Sequence, residues 1–277
     1  MCEQHDKLHH NLNKEQLHVY NSVMDNIDNS KGGVYFVYGS GGCGKTFLSN
    51  TLCCKLRSEG KIVLHVESSG IAAMLLPGGR TSHSMFHIPL KLDQYSVDGI
   101  KHGIDLGELL KQTSLIIWDE APMQHRYSFE SVDRNMRDMS SVDPSKVGVP
   151  FGGITVVFGG DFRQILPVIP KASRAQVVGA SLNSSKLWDY CKVYQLEKNM
   201  RLTSGRSAEE RKEIEEFSKW VLSIVNGTLP SVQPNDANTD SDVVIPEKFL
   251  IKSVEKLIKD VVDVIYPDIV QNLKNPE

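Results

Sequence analysis

Eight consecutive residues, Gly39-Ser40-Gly41-Gly42-Cys43-Gly44-Lys45-Thr46, place glycines, a lysine and a hydroxyl in an order suited to holding phosphate. Glycines let the loop fold back, so that successive backbone N–H groups converge on phosphate oxygens. The spacing G-x-x-x-x-G-K-[ST] sets Lys45 against the β and γ phosphates and Thr46 where Mg²⁺ takes an oxygen ligand. A helix beginning behind the loop adds favourable partial charge. A triphosphate cradle running from Gly39 to Thr46 is therefore expected.

Such a cradle needs a carboxylate at the end of another strand, and Ile116-Ile117-Trp118-Asp119-Glu120 supplies two acids side by side. Asp119 is placed to hold the metal, directly or through water. Glu120 is placed to take a proton from the attacking water, a division of labour that suits hydrolysis. A phosphotransferase acting on a small molecule needs no second acid. Further on, Phe158-Gly159-Gly160-Asp161-Phe162-Arg163-Gln164 ends an apolar run in a polar turn, where Gln164 can sense a γ-phosphate. Leu196-Glu197-Lys198-Asn199-Met200-Arg201 ends another, and the Arg201 guanidinium suits charge on a transferring phosphoryl group.

The elements that must position these groups are legible in the hydrophobic pattern. Runs at 34–38, 115–118 and 154–158 are rich in β-branched and aromatic residues and predict buried parallel strands, with two more at 61–66 and 193–196. Helices are expected at Lys45 to Ser58 and near Tyr127 to Met139. Strand alternating with helix predicts an α/β sheet with ligands at the carboxyl ends of the strands. The aperiodic segment from about Pro89 to Gly107 reads as an insertion. Beyond it lie a charged helix from Ser207 to Val225, a polar stretch from Gly227 to Ser241, and an amphipathic segment around Phe249, Leu250, Val254, Leu257, Ile258, Val261 and Val262.

With 277 residues, 40% hydrophobic and 23% charged, the chain is expected to build one or two ordinary cores. No run of apolar residues reaches the ~18 to 20 that a membrane span needs, and the polar start does not resemble a secretory signal, so an intracellular protein without membrane partners is expected. The net charge of −3 argues against coating nucleic acid by bulk electrostatics and leaves room for a local groove. Five cysteines, an odd number with no CxxC spacing, fit reduced thiols. His5, His9, His10 and His18 read as a solvated amino-terminal tail, because no ligand set accompanies them.

In order along the chain these motifs resemble the Pif-type helicases, relatives of RecD within superfamily one, over roughly Leu12 to Leu202. Gln16, in Leu12-Asn13-Lys14-Glu15-Gln16, matches the glutamine that reads adenine in that family, which makes ATP the expected nucleotide. Gly39 to Thr46 is similar to motif I, Asp119-Glu120-Ala121-Pro122 to motif II, and Gly160 to Gln164 to motif III. Arg201 falls at the arginine of motif IV. Glu67-Ser68-Ser69-Gly70-Ile71-Ala72-Ala73 resembles motif Ia, and Thr81-Ser82-His83-Ser84-Met85-Phe86 the strand-contacting segment after it. The resemblance implies that Ser69, Thr81 and His83 line a path for single-stranded DNA. Small hydroxyls and a histidine beside glycines suit approach to a phosphate backbone, while Phe86 suits a core better than a stacking surface.

The implied fold is a RecA-like P-loop NTPase domain at 1–202, an α/β parallel sheet with helices on both faces. A small inserted subdomain at about 87–108 and a helical, polar extension at 203–277 complete the expected layout. The resemblance implies ATP hydrolysis with Mg²⁺ coupled to 5′-to-3′ movement on single-stranded or forked DNA. It also implies roles in DNA repair, recombination and telomere maintenance, in nucleus or mitochondrion. Nothing after Leu202 resembles the second RecA-like domain of that family. The alternative expectation is therefore a module that grips single-stranded DNA under ATP control without unwinding.

Overall fold

Residues of alternate parity on each central strand meet two different layers, which is why these strands are apolar throughout. Val34, Phe36, Ile116, Trp118, Val156 and Phe158 enter one core, and Tyr35, Val37, Leu115, Ile117 and Val157 enter the other. A strand covered on both faces has no polar side to show. The computed structural model describes residues 2–74, 78–100, 105–141, 143–200, 207–229, 245–251 and 257–269. Its elements are α1 (Cys2–His10), α2 (Lys14–Asp28), β1 (Val34–Gly39), α3 (Lys45–Ser58), β2 (Ile62–Glu67), α4 (Gly70–Met74), β3 (Arg80–Thr81) and α5 (Ser82–Phe86). They continue with α6 (Asp105–Lys111), β4 (Thr113–Asp119), α7 (Arg126–Ser140), β5 (Thr155–Gly160), α8 (Arg174–Ala180), β6 (Cys191–Leu196), α9 (Ala208–Val225) and α10 (Leu257–Ile265).

The strands pair in the order β3-β2-β4-β5-β1-β6, and every pairing is parallel. The five strands expected from the hydrophobic runs are all present. β3 escaped notice because two residues carry no periodic signal. On one face α2 and α3 supply Val19, Val23, Leu48, Leu52 and Leu56. On the other, α7 turns Phe129, Val132, Met136 and Met139 inward at helical spacing, together with Phe86 of α5, which is fully buried in the core as expected. Trp118 is the centre of that layer, with ring centroids 5.2 Å from Phe86, 4.8 Å from Phe129 and 6.0 Å from Phe158. Burying each such side chain contributes about 1.5 to 3 kcal/mol.

Two expectations need adjustment. The amino-terminal histidines do not form a solvated tail: His5, His9 and His10 belong to α1, where His5 Nε2 bonds Tyr20 OH at 2.9 Å and His9 meets the Tyr20 ring edge-on at 4.9 Å. The apolar body of Tyr20 gives the helix a surface to cover, which polar composition alone did not reveal. In the segment read as an insertion, described residues 88–100 form no helix or strand, and Ile88 and Ile100 are buried in the Trp118 core. Gly107 already lies in α6.

The chain divides into two compact units, Met1–Arg211 and Lys212–Glu277. In the second, Phe217, Trp220 and Phe249 pack ring against ring at 5.2 to 5.9 Å, and Lys248 Nζ lies 3.6 Å from Glu216. Val254 lies outside the described residues, and Ile258, Val261 and Val262 sit on α10. No described helix is long and apolar enough to cross a membrane.

Candidate nucleotide and strand-binding site

Parallel pairing brings the chemistry to one end of the sheet. Glu67 is in register with Asp119, Trp118 with Phe158, and Tyr38 with Gly160, so the loops after β2, β4, β5 and β1 emerge side by side. The glycine-rich loop follows β1 directly. Gly42 and Gly44 take φ of 90° and 81°, a region costly for side-chain-bearing residues, and Gly44 caps α3 from there. Lys45 Nζ donates to the Gly39 carbonyl at 2.6 Å, tying the ammonium to the start of its own loop, and Thr46 stands exposed at the head of α3. Cys43 is buried, with Sγ 3.2 Å from Ser40 Oγ.

Gln16 is fully buried beneath this loop. Its Oε1 accepts from the Asn13 backbone N–H at 3.0 Å, closing a capping box on α2, and its Nε2 donates to the carbonyls of Cys43 (3.3 Å) and Gly44 (3.4 Å). The amide thus braces the loop as well as lying beside it. Beside it the Met200 N–H donates to the Gly42 carbonyl at 2.9 Å, and Met200 Sδ accepts from Asn13 Nδ2 at 3.3 Å. Arg201 lies outside the described residues.

The two acids after β4 occupy different settings. Asp119 is buried, and its Oδ1 accepts the Glu120 N–H at 3.0 Å. Glu120 adopts φ 47° and ψ 37°, the left-handed region, at a cost on the order of 1 to 3 kcal/mol. Ser68 helps hold it there by donating to the Glu120 carbonyl at 2.9 Å. Burial, reinforced by the Asp119 charge, lifts the Glu120 carboxyl above the usual carboxylate range, while Lys45 partly opposes the shift. The two glycines that end β5 make room: a Cβ on Gly159 would stand 2.5 Å from Asp119 Oδ1, and one on Gly160 would collide with the Pro122 ring.

Sequence reasoning passed over two buried neighbours of Asp119. His65, Glu67 and Asp119 each offer a ligand atom, all within 4.8 Å of one another, and Glu67 Oε2 and His65 Nε2 have no hydrogen-bond partner. Desolvation, with help from Asp119 and Glu120, pushes the Glu67 carboxyl up to about 8, and desolvation drives His65 down to about 4. The Asp119 and Glu67 carboxylates and the Thr46 hydroxyl are hard oxygen donors, the kind Mg²⁺ prefers, and the orphaned Glu67 oxygen is consistent with a cation close by.

Beyond β5, Asp161 and Arg163 form a double ion pair, with Nε to Oδ1 at 2.9 Å and Nη2 to Oδ2 at 3.0 Å. Arg163 also lies over the Tyr38 ring at 5.1 Å. This pairing stiffens the turn that carries Gln164, which is itself exposed.

A separate groove opens beside this end of the sheet. Ser69 and His83 line it, together with residues the sequence reading did not select: Gln124, His125, Leu90 and Val168. Thr81 does not line it. Its Oγ1 caps α5 by accepting from the Ser84 N–H at 3.2 Å, which leaves the hydroxyl proton free to donate. Gln124 had no signal in one dimension, because its partners come from three separated segments.

The PIF1-like helicase family matches residues 11–235. Among curated relatives the chain is 30% identical over 154 residues to ATP-dependent DNA helicase PIF1 of Trypanosoma brucei brucei, covering 56% of this chain and 14% of that protein. It is 31% identical to ATP-dependent DNA helicase Pif1 of a Psychrobacter species, covering 63% and 26%. Among solved structures it resembles Bacteroides Pif1 bound to single-stranded DNA, with TM-score 0.60, 27% identity and coverage of 79% of this chain and 47% of that one. It also resembles Bacteroides Pif1 in complex with ADP-AlF4, with TM-score 0.59, 27% identity and coverage of 79% and 47%. The chain thus spans less than half of those structures and about a quarter or less of those curated relatives. The sheet order and the placement of the phosphate loop are those of a RecA-like α/β domain, and the chain belongs to the PIF1-like helicase family.

Proposed function

We propose that this chain supplies the ATP-hydrolysing motor domain of a DNA helicase that moves 5′ to 3′ on single-stranded DNA. The observation that carries the reading is the convergence of three loops at neighbouring strand ends: Gly39 to Thr46 after β1, Asp119-Glu120 after β4 and Asp161 to Gln164 after β5. The backbone N–H groups of Gly39, Ser40, Gly41, Gly42, Cys43 and Gly44 hold the phosphates. Lys45 offsets their charge, and Gln164 with Arg201 faces the γ-phosphate. Thr46 and Asp119 hold Mg²⁺, which when bound neutralises charge on the β and γ oxygens. Glu120 orients the attacking water and takes its proton. Its raised affinity for that proton makes it a better base than an exposed glutamate.

On this proposal Gln16 reads the adenine edge by exchanging its bonds to the Cys43 and Gly44 carbonyls for the base when nucleotide binds. Ser69 and His83 meet the phosphates of a single strand in the groove and Thr81, outside it, offers its hydroxyl two residues before His83, with Leu90 and Val168, 94% and 83% exposed, offering apolar surface to bases. The proposed domain layout is a motor domain at 1–202 followed by a helical extension. The proposed setting is DNA repair, recombination and telomere maintenance in nucleus or mitochondrion. The test combines steady-state ATP hydrolysis with binding of a labelled single-stranded oligonucleotide, each with and without the other ligand. ATP turnover and strand binding that respond to one another support the reading. Failure to bind ATP, or strand binding indifferent to it, overturns the reading.

A further inference from the structure

Trp118 Nε1 lies 3.2 Å from one end of the Gln124 side-chain amide, and Ser82 Oγ lies 2.9 Å from the same atom. An indole N–H only donates, so the atom it faces must be the carbonyl oxygen Oε1 and not the amide nitrogen. The opposite orientation would set two donors against each other in a buried site, since Gln124 is only 6% exposed. The orientation of this amide therefore follows from chemistry and needs no choice between nitrogen and oxygen. Ser68 Oγ, 3.3 Å from the same oxygen and 2.9 Å from the Glu120 carbonyl, lies between the amide and the loop of the two acids.

With Oε1 committed, the amide NH₂ is the group that faces His83, where Nε2 stands 3.5 Å from the ring Nδ1. An N–H pointing at Nδ1 requires a lone pair there. Nδ1 is then unprotonated, and the neutral ring carries its proton on Nε2. Burial also holds His83 below the usual histidine range, which favours the neutral ring. The ring lines the groove, and the only other titratable side chain among the described groove residues is His125, at the amino-terminal cap of α7.

We infer that Gln124 is a positioning residue that holds His83 as the Nε2–H tautomer, so that His83 meets single-stranded DNA as a hydrogen-bond donor. The inference rests on the strand-binding reading above and adds to it the residue that sets the polarity of one contact. A phosphate oxygen accepts and cannot donate, so the other tautomer would turn a lone pair toward it. Gln124 also touches Trp118, the residue before Asp119, through an atom shared with the strand-facing segment.

The substitution Gln124→Glu separates this role from a structural one. It keeps an acceptor for Trp118 and Ser82 while presenting a second acceptor to His83, so in the neutral ring the proton sits on Nδ1, and both readouts are taken at a pH above the His83 transition. The experiment uses the 277-residue chain labelled with nitrogen-15 in histidine, with His83→Ala identifying the His83 signals. Imidazole NMR reports the tautomer, and fluorescence anisotropy with an oligothymidine reports affinity. The expected result is Nε2–H in the parent and Nδ1–H in Gln124→Glu. Affinity should fall about tenfold, the size of one lost hydrogen bond to a charged group. In a His83→Ala background the same substitution should cost far less. Nδ1–H in the parent overturns the inference, as does unchanged affinity, or an equal loss without His83, which would signify simple charge repulsion. If the parent binds no oligonucleotide, the strand-binding reading itself fails, and the parent spectrum still decides whether Gln124 sets the His83 tautomer.

Discussion

The Asp119 carboxylate lies directly against the backbone of Gly159, where an added Cβ would stand 2.5 Å from Oδ1. Gly159 lies within β5, so the strand cannot yield without disturbing its pairing with β1, and the carboxylate must move instead. Gly159→Ala is therefore expected to displace Asp119 and lower ATP turnover by about a hundredfold, the cost of an ångström-scale misplacement. Steady-state ATPase assays across a Mg²⁺ titration check it, with the loss eased at high Mg²⁺. Near-parent turnover would show that Asp119 is not held where the metal needs it.

Lys45→Ala should lower turnover by about 10² or more, through loss of a positive group at the phosphates. Glu120→Gln should spare nucleotide binding and stop hydrolysis, since the amide keeps the shape and cannot take a proton. Binding of a fluorescent ATP analogue, measured beside turnover, separates the two. Weakened binding in Glu120→Gln would reassign that residue from base to ligand.

Gln16→Ala should have two effects, because the side chain both caps α2 and holds the carbonyls of Cys43 and Gly44. The Asn13 cap on the residue-16 N–H survives, but loss of the reciprocal bond from the Asn13 N–H is expected to cost about 1 kcal/mol, seen as a lower thermal midpoint. GTP should also compete better against ATP than it does with the parent. A stability loss with unchanged competition would leave Gln16 as a brace alone.

Asp98, buried under α7, is held up to about 6 by desolvation, which outweighs relief from Ser131 and Arg134. The native state favours the neutral acid, so the stabilisation it brings is full below the unfolded value of 3.8 and is lost as pH rises through about 6. At about 1.4 kcal/mol per unit, the parent should lose roughly 3 kcal/mol between acid and neutral pH from this group. Asp98→Asn should lack that loss. Denaturant unfolding at about pH 4 and near neutrality checks the sign: the variant must gain on the parent as pH rises.

The hydrophobic runs and the glycine-lysine-threonine order were enough to determine a parallel α/β sheet and its phosphate loop. Both are local properties, periodicity in one case and contiguous backbone conformation in the other. The Asp119-Glu120 pair was legible for the same reason, as the end of an apolar strand. Sequence could not reveal that Glu67 and His65 crowd Asp119, because β2 and β4 become neighbours only when crossovers set the sheet order. Nor could it show that Gly159 makes room for a carboxylate on another strand, or that Gln16, expected to read adenine, also braces the phosphate loop. Gln124 is the extreme case. Its role depends on Ser68, Trp118, Ser82 and His83, and only folding gathers three donors and one acceptor around one amide and thereby orients it.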